Sequence, residues 1–192
     1  MKVGLLIKKI FNRLKQKPFV YNKRLIFEYS MSTQINPISP KLPVEFGFGS
    51  VENATQLMIQ PKTNENGLQE KEIYFSGTIE GKEVYRMRIS LDRDAMIRLL
   101  PCCHIREKAA FFYDGYTDPD YRGYGIFSAG LNYSLRYLQR HKFEKIYARI
   151  HPMNALSIKG VERVGFRLIG KVYHLTFFGI PLKPFGRATS DS

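Results

Sequence analysis

Apolar and polar positions alternate through residues 72–91. Ile73, Phe75, Gly77 and Ile79 mark one face of a strand, and the alternation resumes after Glu80-Gly81-Lys82 at Tyr85, Met87, Ile89 and Leu91. That pattern predicts a β-hairpin. Residues 24–29, 109–117 and 143–150 read as further strands, and 166–178 is β-rich. In 143–150, Ile146, Ala148 and Ile150 face one way and Lys145, Tyr147 and Arg149 the other. Over 125–140 the period becomes helical: Asn132, Arg136, Gln139 and Arg140 form one narrow polar stripe, and Ile126, Leu131, Tyr133, Leu135, Tyr137 and Leu138 fill most of the rest. This helix is expected to be buried over most of its circumference. Asn154 reads as the N-cap of another helix. Gly165 suits the left-handed residue that ends it, with Phe166 folding back on Val161. Ala95, Met96, Leu99 and Leu100 suggest a helical turn before Pro101.

The remaining stretches are less regular. Residues 32–50 carry Pro37, Pro40, Pro43, Gly47 and Gly49 and read as loop. Ser50 is placed to cap a short helix over 51–59, and 61–70 is polar. Residues 1–17 form a basic amphipathic pattern, with Val3, Leu6, Ile7, Ile10, Phe11 and Leu14 at helical spacing between lysines and Arg13. Packing against the domain is what any such helix does. Contact with a membrane surface or a partner is the alternative. Lys8 and Lys9 interrupt the apolar run too early for a signal peptide. No apolar run approaches the ~18 residues of a membrane span.

At 192 residues the chain is long enough to bury a core without disulfides. Its only cysteines, Cys102 and Cys103, are adjacent and lack a metal-ligand set, so they read as reduced thiols of an intracellular protein. A cytoplasmic location is expected, with peripheral membrane contact through 1–17 as an option. The formal net charge of +13 favours anionic partners. No zinc-finger spacing, aromatic RNA-binding motif or helix-turn-helix accompanies it, which makes nucleic acid an unlikely partner.

One stretch organises the rest: Asp118-Pro119-Asp120-Tyr121-Arg122-Gly123-Tyr124-Gly125-Ile126-Phe127, between the strand at 109–117 and the helix at 125–140. The first N–H groups of a helix have no partner within it and carry the positive end of its dipole. Glycines let that backbone approach a phosphate closely. Arg122 adds a charged donor. A solvated structural turn would share much of this pattern. A second stretch follows one strand later: Asn154-Ala155-Leu156-Ser157-Ile158, then Val161 to Phe166.

Together the two stretches resemble the GNAT superfamily of N-acetyltransferases. The first is similar to its acetyl-CoA turn, Arg/Gln-x-x-Gly-x-Gly/Ala, and the second to its Asn-x-x-Ser/Ala helix ending in Gly-Phe. The resemblance covers residues 109–172 well. It implies an α/β (α+β) fold: a mixed, mostly antiparallel central sheet flanked by helices. That sheet splays into a V between the family's fourth and fifth strands, here ending near Thr117 and Ile150. The implied organisation is an N-terminal helix over 1–20, a single acyltransferase-like domain over 21–180 and a tail over 181–192, disordered from 186.

The resemblance implies acetyl-CoA as cosubstrate, bound by Tyr116, Thr117, Arg122, Gly123, Tyr124, Gly125, Ile126, Phe127, Asn154 and Ser157. Tyr116 and Thr117 would pair with the pantetheine arm as with an added strand. Asn154 would reach the cofactor, or serve only as a cap. Phe127 departs from the pattern, which has Gly or Ala there. The implied reaction is attack of a neutral amine of a small molecule or amino sugar on the thioester. Two catalytic positions do not carry over. Where many relatives have a proton-donating Tyr this chain has Val161, and where some have a Glu base it has Phe111. Asp114 is the one carboxylate in its strand and is the candidate base, or a solvent-facing or substrate-binding charge. Tyr113, Tyr147, His151 and Tyr173 are open candidates for the acid. A GNAT-like module that binds CoA without turnover, and a basic nucleic-acid or membrane-surface protein, are the alternatives.

Overall fold

The computed structural model describes residues 19–49, 72–178 and 180–189. The helices expected at 1–17 and 51–59 lie outside them. A nine-stranded sheet forms the centre. Its strands are β1 (Phe19–Ser30), β2 (Glu45–Gly49), β3 (Glu72–Ile79), β4 (Lys82–Ser90), β5 (Ala109–Thr117), β6 (Lys145–Ile150), β7 (Arg167–Phe177), β8 (Ile180–Pro181) and β9 (Phe185–Ala188). The described helices are α1 (Arg93–Leu99), α2 (Ile126–Arg140) and α3 (Ala155–Val164). The spatial order is β2-β3-β4-β5-β6-β1-β7-β8, with β9 also paired to β7. Only β5 and β6 run parallel; the other pairs are antiparallel.

Both faces of the sheet are covered. The larger core joins Phe27, Phe75, Tyr85, Met87, Ile146 and Ala148 of the strands to Leu131, Leu135 and Leu138 of α2 and Val161 of α3. The smaller, on the opposite face, joins Ile26, Phe111, Tyr147 and Val172 to Met96 of α1 and to Leu100 and Ile105. Asp92 caps α1, its carboxylate accepting from Asp94 N (3.0 Å) and Ala95 N (3.2 Å). The helix α3 ends as its sequence implies. Gly165 is left-handed at φ 107°, Gly165 N donates to Glu162 O (2.9 Å) and Phe166 N to Val161 O (3.1 Å).

The V lies between β5 and β6. They pair only from Ala109↔Lys145 to Phe112↔Ala148. Beyond that point each strand stays bonded on its outer side. β5 follows β4 to Tyr85↔Thr117, and β6 follows β1 to Leu25↔Ile150. A bulge helps open the arms: Arg86 pairs with Tyr116 and Arg88 with Tyr113, so Asp114 and Gly115 together oppose Met87. Asp114 sits there at φ +51°. An extra residue of this kind bends and twists its strand away from the ladder.

Three local expectations are corrected. Within the supposed loop at 32–50, Glu45–Gly49 is a strand on β3, with Phe46 opposite Gly77 and Phe48 opposite Phe75. The supposed tail over 181–192 returns to the sheet, because Phe185–Ala188 pairs with β7 from Tyr173↔Phe185 to Gly170↔Ala188. Asn132 does not belong to a solvated stripe. It is buried in α2, its amide donating to Asn36 O (2.7 Å) and accepting from Ile38 N (3.4 Å). These bonds fasten the loop that follows β1 along α2. Further on, the same loop gives Lys41 N to Tyr124 O (2.8 Å), so it also braces the glycine turn.

Candidate active site

The turn between β5 and α2 is set by its own side chains. Asp118 N donates back to Val84 O (2.9 Å), continuing the β4–β5 ladder by one step. The Asp118 carboxylate accepts from Asp120 N (3.1 Å) and pairs with Lys82 Nζ (3.1 Å). The Lys82 contact and the Asp120 N–H hold the Asp118 carboxyl below the usual range. Pro119–Tyr121 then makes a single 3-10 turn, and Gly125 stands before α2 at φ +78°. That left-handed residue aims the free N–H groups of the first turn of α2 outward. It is available cheaply only to glycine.

Those groups border a cavity of about 400 Å³ between the C-terminal arm of β5, the start of α2 and one side of α3. Its wall includes Tyr116, Thr117, Arg122, Gly123, Gly125, Ile126, Phe127, Asn154 and Ser157, all anticipated from the sequence. Tyr124 is outside the wall: its ring is exposed and its carbonyl is taken by Lys41. The wall also includes Tyr121, Leu156, Lys159, Gly160 and Arg163, which sequence reasoning passed over. Lys159 and Arg163 are four residues apart on α3, a spacing that puts them on one face and that the sequence did display. Leu156, an apolar residue of the cavity wall, is 73% exposed.

The charge of this cavity is one-sided. Arg122, Lys159 and Arg163 contribute to the wall, and among the described residues no carboxylate does. Arg122 Nε donates to Thr117 O (3.1 Å), which ties the guanidinium across the turn. Thr117 Oγ1 is buried without a hydrogen-bond partner. Buried hydroxyls nearly always find one, so a partner from a ligand is the simplest completion. Asn154 Oδ1 caps α3 by accepting from Ser157 N (3.1 Å), and the same residue lines the cavity. Backbone donors, three cations and a buried hydroxyl fit an elongated, phosphate-bearing ligand such as an acyl-CoA.

A second cavity, of about 200 Å³, occupies the V itself. It is lined by Met87, Phe112, Leu131, Ile150 and Val161 on its apolar side, and by Tyr113, Asp114, Arg149 and His151 on its polar side. Phe127 lines both chambers, as do Gly115, Asn154 and Ser157. The Phe127 ring does not cross the turn. It runs sideways into a slot left by two glycines: a Cβ on Gly160 would lie 2.5 Å from Phe127 Cδ1, and one on Gly115 3.2 Å from Cε2. Tyr85 meets the ring edge-on, with centroids 6.2 Å apart.

The four open candidates for the acid separate. Tyr113 and His151 line the inner chamber. Burial, with Glu72 nearby, pushes the Tyr113 hydroxyl well above its usual range. His151 Nδ1 accepts from Met153 N (3.1 Å). Tyr147 lies in the smaller core, and Tyr173 is stacked between Tyr21 and Phe185. Phe111 is buried in the smaller core, and Val161 is buried in the inner wall. Asp114 is half exposed at the bulge, its carboxylate 3.8 Å from Arg88 Nε.

A sequence model of the acetyltransferase (GNAT) family matches residues 69–166. No functionally curated protein matches the chain. Among solved structures, a Drosophila protein superposes at TM-score 0.60 over 93% of this chain, with 12% identity. A GCN5-related N-acetyltransferase from Kribbella flavida does so at 0.55 over 83%, with 8% identity. A GNAT-family putative acetyltransferase from Novosphingobium aromaticivorans does so at 0.54 over 83%, with 15% identity. The chain spans 58%, 60% and 66% of those three proteins, respectively. At such identities the superpositions speak for the fold. The family model takes in the hairpin, the V, the glycine turn and the Asn154 helix together, and by that match the chain belongs to the GNAT acetyltransferase family.

Proposed function

We propose that this protein is an acyl-CoA-dependent N-acyltransferase, carrying an acetyl or short acyl group to a primary amine of a small molecule or amino sugar. One observation carries the reading. The glycine turn opens on a chamber of cations and backbone donors, and that chamber adjoins a second one inside the V, where Asp114, Tyr113 and His151 gather. Acyl-CoA supplies an activated thioester when bound. Arg122, Lys159, Arg163 and the first turn of α2 hold its phosphates, and the free arm of β5 at Tyr116–Thr117 pairs with its amide groups.

In the transfer an N–C bond forms as the C–S bond breaks; the amine proton passes to Asp114 or solvent, and the sulfur leaves as thiolate and takes up a proton from solvent. The amine must arrive neutral, since an ammonium has no lone pair to donate. Asp114 lies on the wall of the chamber with its carboxylate toward Arg88, placed to accept that proton directly or through water. Thiol release measured across pH, against amino acids, amino sugars and polyamines, tests the reading. The rate should rise with pH until the amine is neutral. Asp114→Asn should lower kcat at least about tenfold, below the ~10²-fold lower end of general-base effects, with CoA affinity unchanged. An unchanged kcat would remove Asp114 from the mechanism.

A CoA-binding module without turnover is the second reading. The aliphatic wall at Val161 favours it, because no proton donor stands there. Tight CoA binding with no thiol release for any acceptor would select it.

A further inference from the structure

The strand face opposite α2 and α3 carries a row of charges, and most are matched. Lys145 Nζ meets both carboxylate oxygens of Glu28, at 2.8 and 2.9 Å. On the other arm of the V, Arg88 pairs with Asp114. Arg149 is one exception. It sits at the end of β6 opposite Ile26, partly buried, and lines the inner chamber. Its only polar partner among the described residues is His174, with Nη1 3.3 Å from Nε2. A guanidinium can only donate, so His174 Nε2 must accept and the imidazole is neutral with its proton on Nδ1.

Arg24 adds a second cation to the cluster. It lies two residues from Ile26 on the same face of β1, and its Nη1 donates to Asn22 Oδ1 and to Lys23 O (3.1 Å). Among the described residues neither Arg24 nor Arg149 has a carboxylate partner. Burial, reinforced by Arg24, draws the Arg149 guanidinium down from its usual range. Burial, then Arg149 and Arg24, does the same to His174. A half-buried cation beside a second cation is costly to the fold unless something anionic completes it. Arg149 lines the chamber in which Asp114 also stands, and that chamber has room for an anion.

We propose that the acceptor carries an anionic group, a carboxylate or phosphonate-like oxyanion, beside its amine, and that Arg149, backed by Arg24 and His174, is the residue that binds it. This deepens the acyltransferase reading and rests on it for the word acceptor. Asp114 and Arg149 line the same small chamber from opposite arms of the V. An amine directed to the first and an oxyanion to the second describes an amino-acid-like molecule. A guanidinium suits this task because its paired donors match the two oxygens of a carboxylate.

The test compares three acceptors with one backbone: β-alanine, β-alaninamide and 2-aminoethylphosphonate. With saturating acetyl-CoA, kcat/KM should be at least tenfold higher for an anionic acceptor than for the amide. Whichever anion is preferred identifies the oxyanion. Arg149→Met should abolish the preference through KM, Arg149→Lys should restore part of it, and CoA affinity should stay as in wild type. A readout independent of turnover is the NMR titration of His174. Saturating β-alanine or 2-aminoethylphosphonate should raise its pKa in the wild type and leave it unmoved in Arg149→Met, whereas β-alaninamide should do nothing to either. A response of His174 without thiol release would keep the anion site and retire the acyltransferase reading. Equal kcat/KM for charged and neutral acceptors, or a His174 indifferent to both anions, would overturn the proposal.

Discussion

The two chambers that share Phe127 are built from different material. The outer one is made largely by backbone: the turn at Gly123 and Gly125, the first N–H groups of α2 and the free edge of β5, with Arg122, Lys159 and Arg163 around them. The inner one is made by side chains from both arms of the V, namely Asp114 and Tyr113 on one and Arg149 and His151 on the other. A backbone site is specific for a ligand common to a family, and its requirements appear as glycines and caps. A side-chain site can change its ligand without disturbing the fold. The outer chamber thus presents mainly backbone groups, and the inner one presents side chains that substitution can change.

The largest effect should come from breaking the backbone on the outer side. Gly125→Val would place a β-branched residue at φ +78°. Among the described residues a Cβ there would meet only Pro40 Cα, at 3.9 Å. The cost to the protein itself is therefore conformational, and the branched side chain would also border the cavity. At about 1–3 kcal/mol or more for a strained residue of this class, the helix start must shift, and CoA affinity should fall by about a hundredfold with the fold retained. Calorimetry with CoA checks this. Near-normal affinity would mean that the turn does not hold the cofactor.

Truncating the shared ring should have a smaller effect. Phe127→Ala empties the slot between Gly115 and Gly160. Stability in chemical denaturation should fall by about 1–3 kcal/mol, below the usual cost of a fully buried Phe. CoA affinity should fall less than in Gly125→Val, because Phe127 is one wall of the outer chamber while the turn and the three cations stay in place. A collapse of CoA binding as large as that of Gly125→Val would erase the distinction.

The smallest effect is expected from pH. His174 is held below its ordinary value of 6.5 by burial and by Arg149 and Arg24. Its neutral form is therefore the one the fold prefers. The stability it contributes is complete above that ordinary value and is lost as pH falls through the lowered folded value. Denaturation midpoints should drop on acidification through this window in the wild type, and less in Arg149→Met. The same slope in both proteins would uncouple the two residues.

What the sequence displayed and what it concealed follow the same line. Gly125, Asn154 and Gly165 were legible because a turn and two helix ends demand particular residue types. The hairpin at β3 and β4 was legible because its alternation is regular. β2 was not, since Pro43 and Gly47 in Pro43-Val44-Glu45-Phe46-Gly47-Phe48 mask a strand whose partner supplies its order. β9 is too short to show a period and exists through pairing with β7. Asn132 looked like part of a solvated stripe because its partner, Asn36, is 96 residues away in the chain. For Arg149, alternation gave the face of the sheet correctly. What stands beside it there, Arg24 and His174, comes from β1 and β7 and leaves no trace at positions near 149.

The central claim is that acyl-CoA is held at the turn between β5 and α2. Isothermal titration of CoA into the wild type and Arg122→Ala tests it most directly. Arg122 reaches across the turn to Thr117 O and borders the cavity, so it can lose its side chain without disturbing the core. The account predicts one site per chain in the wild type, and an affinity about tenfold to a hundredfold weaker in the variant, the worth of a charged hydrogen bond. Equal affinity in the two proteins, or no binding to the wild type, would contradict it.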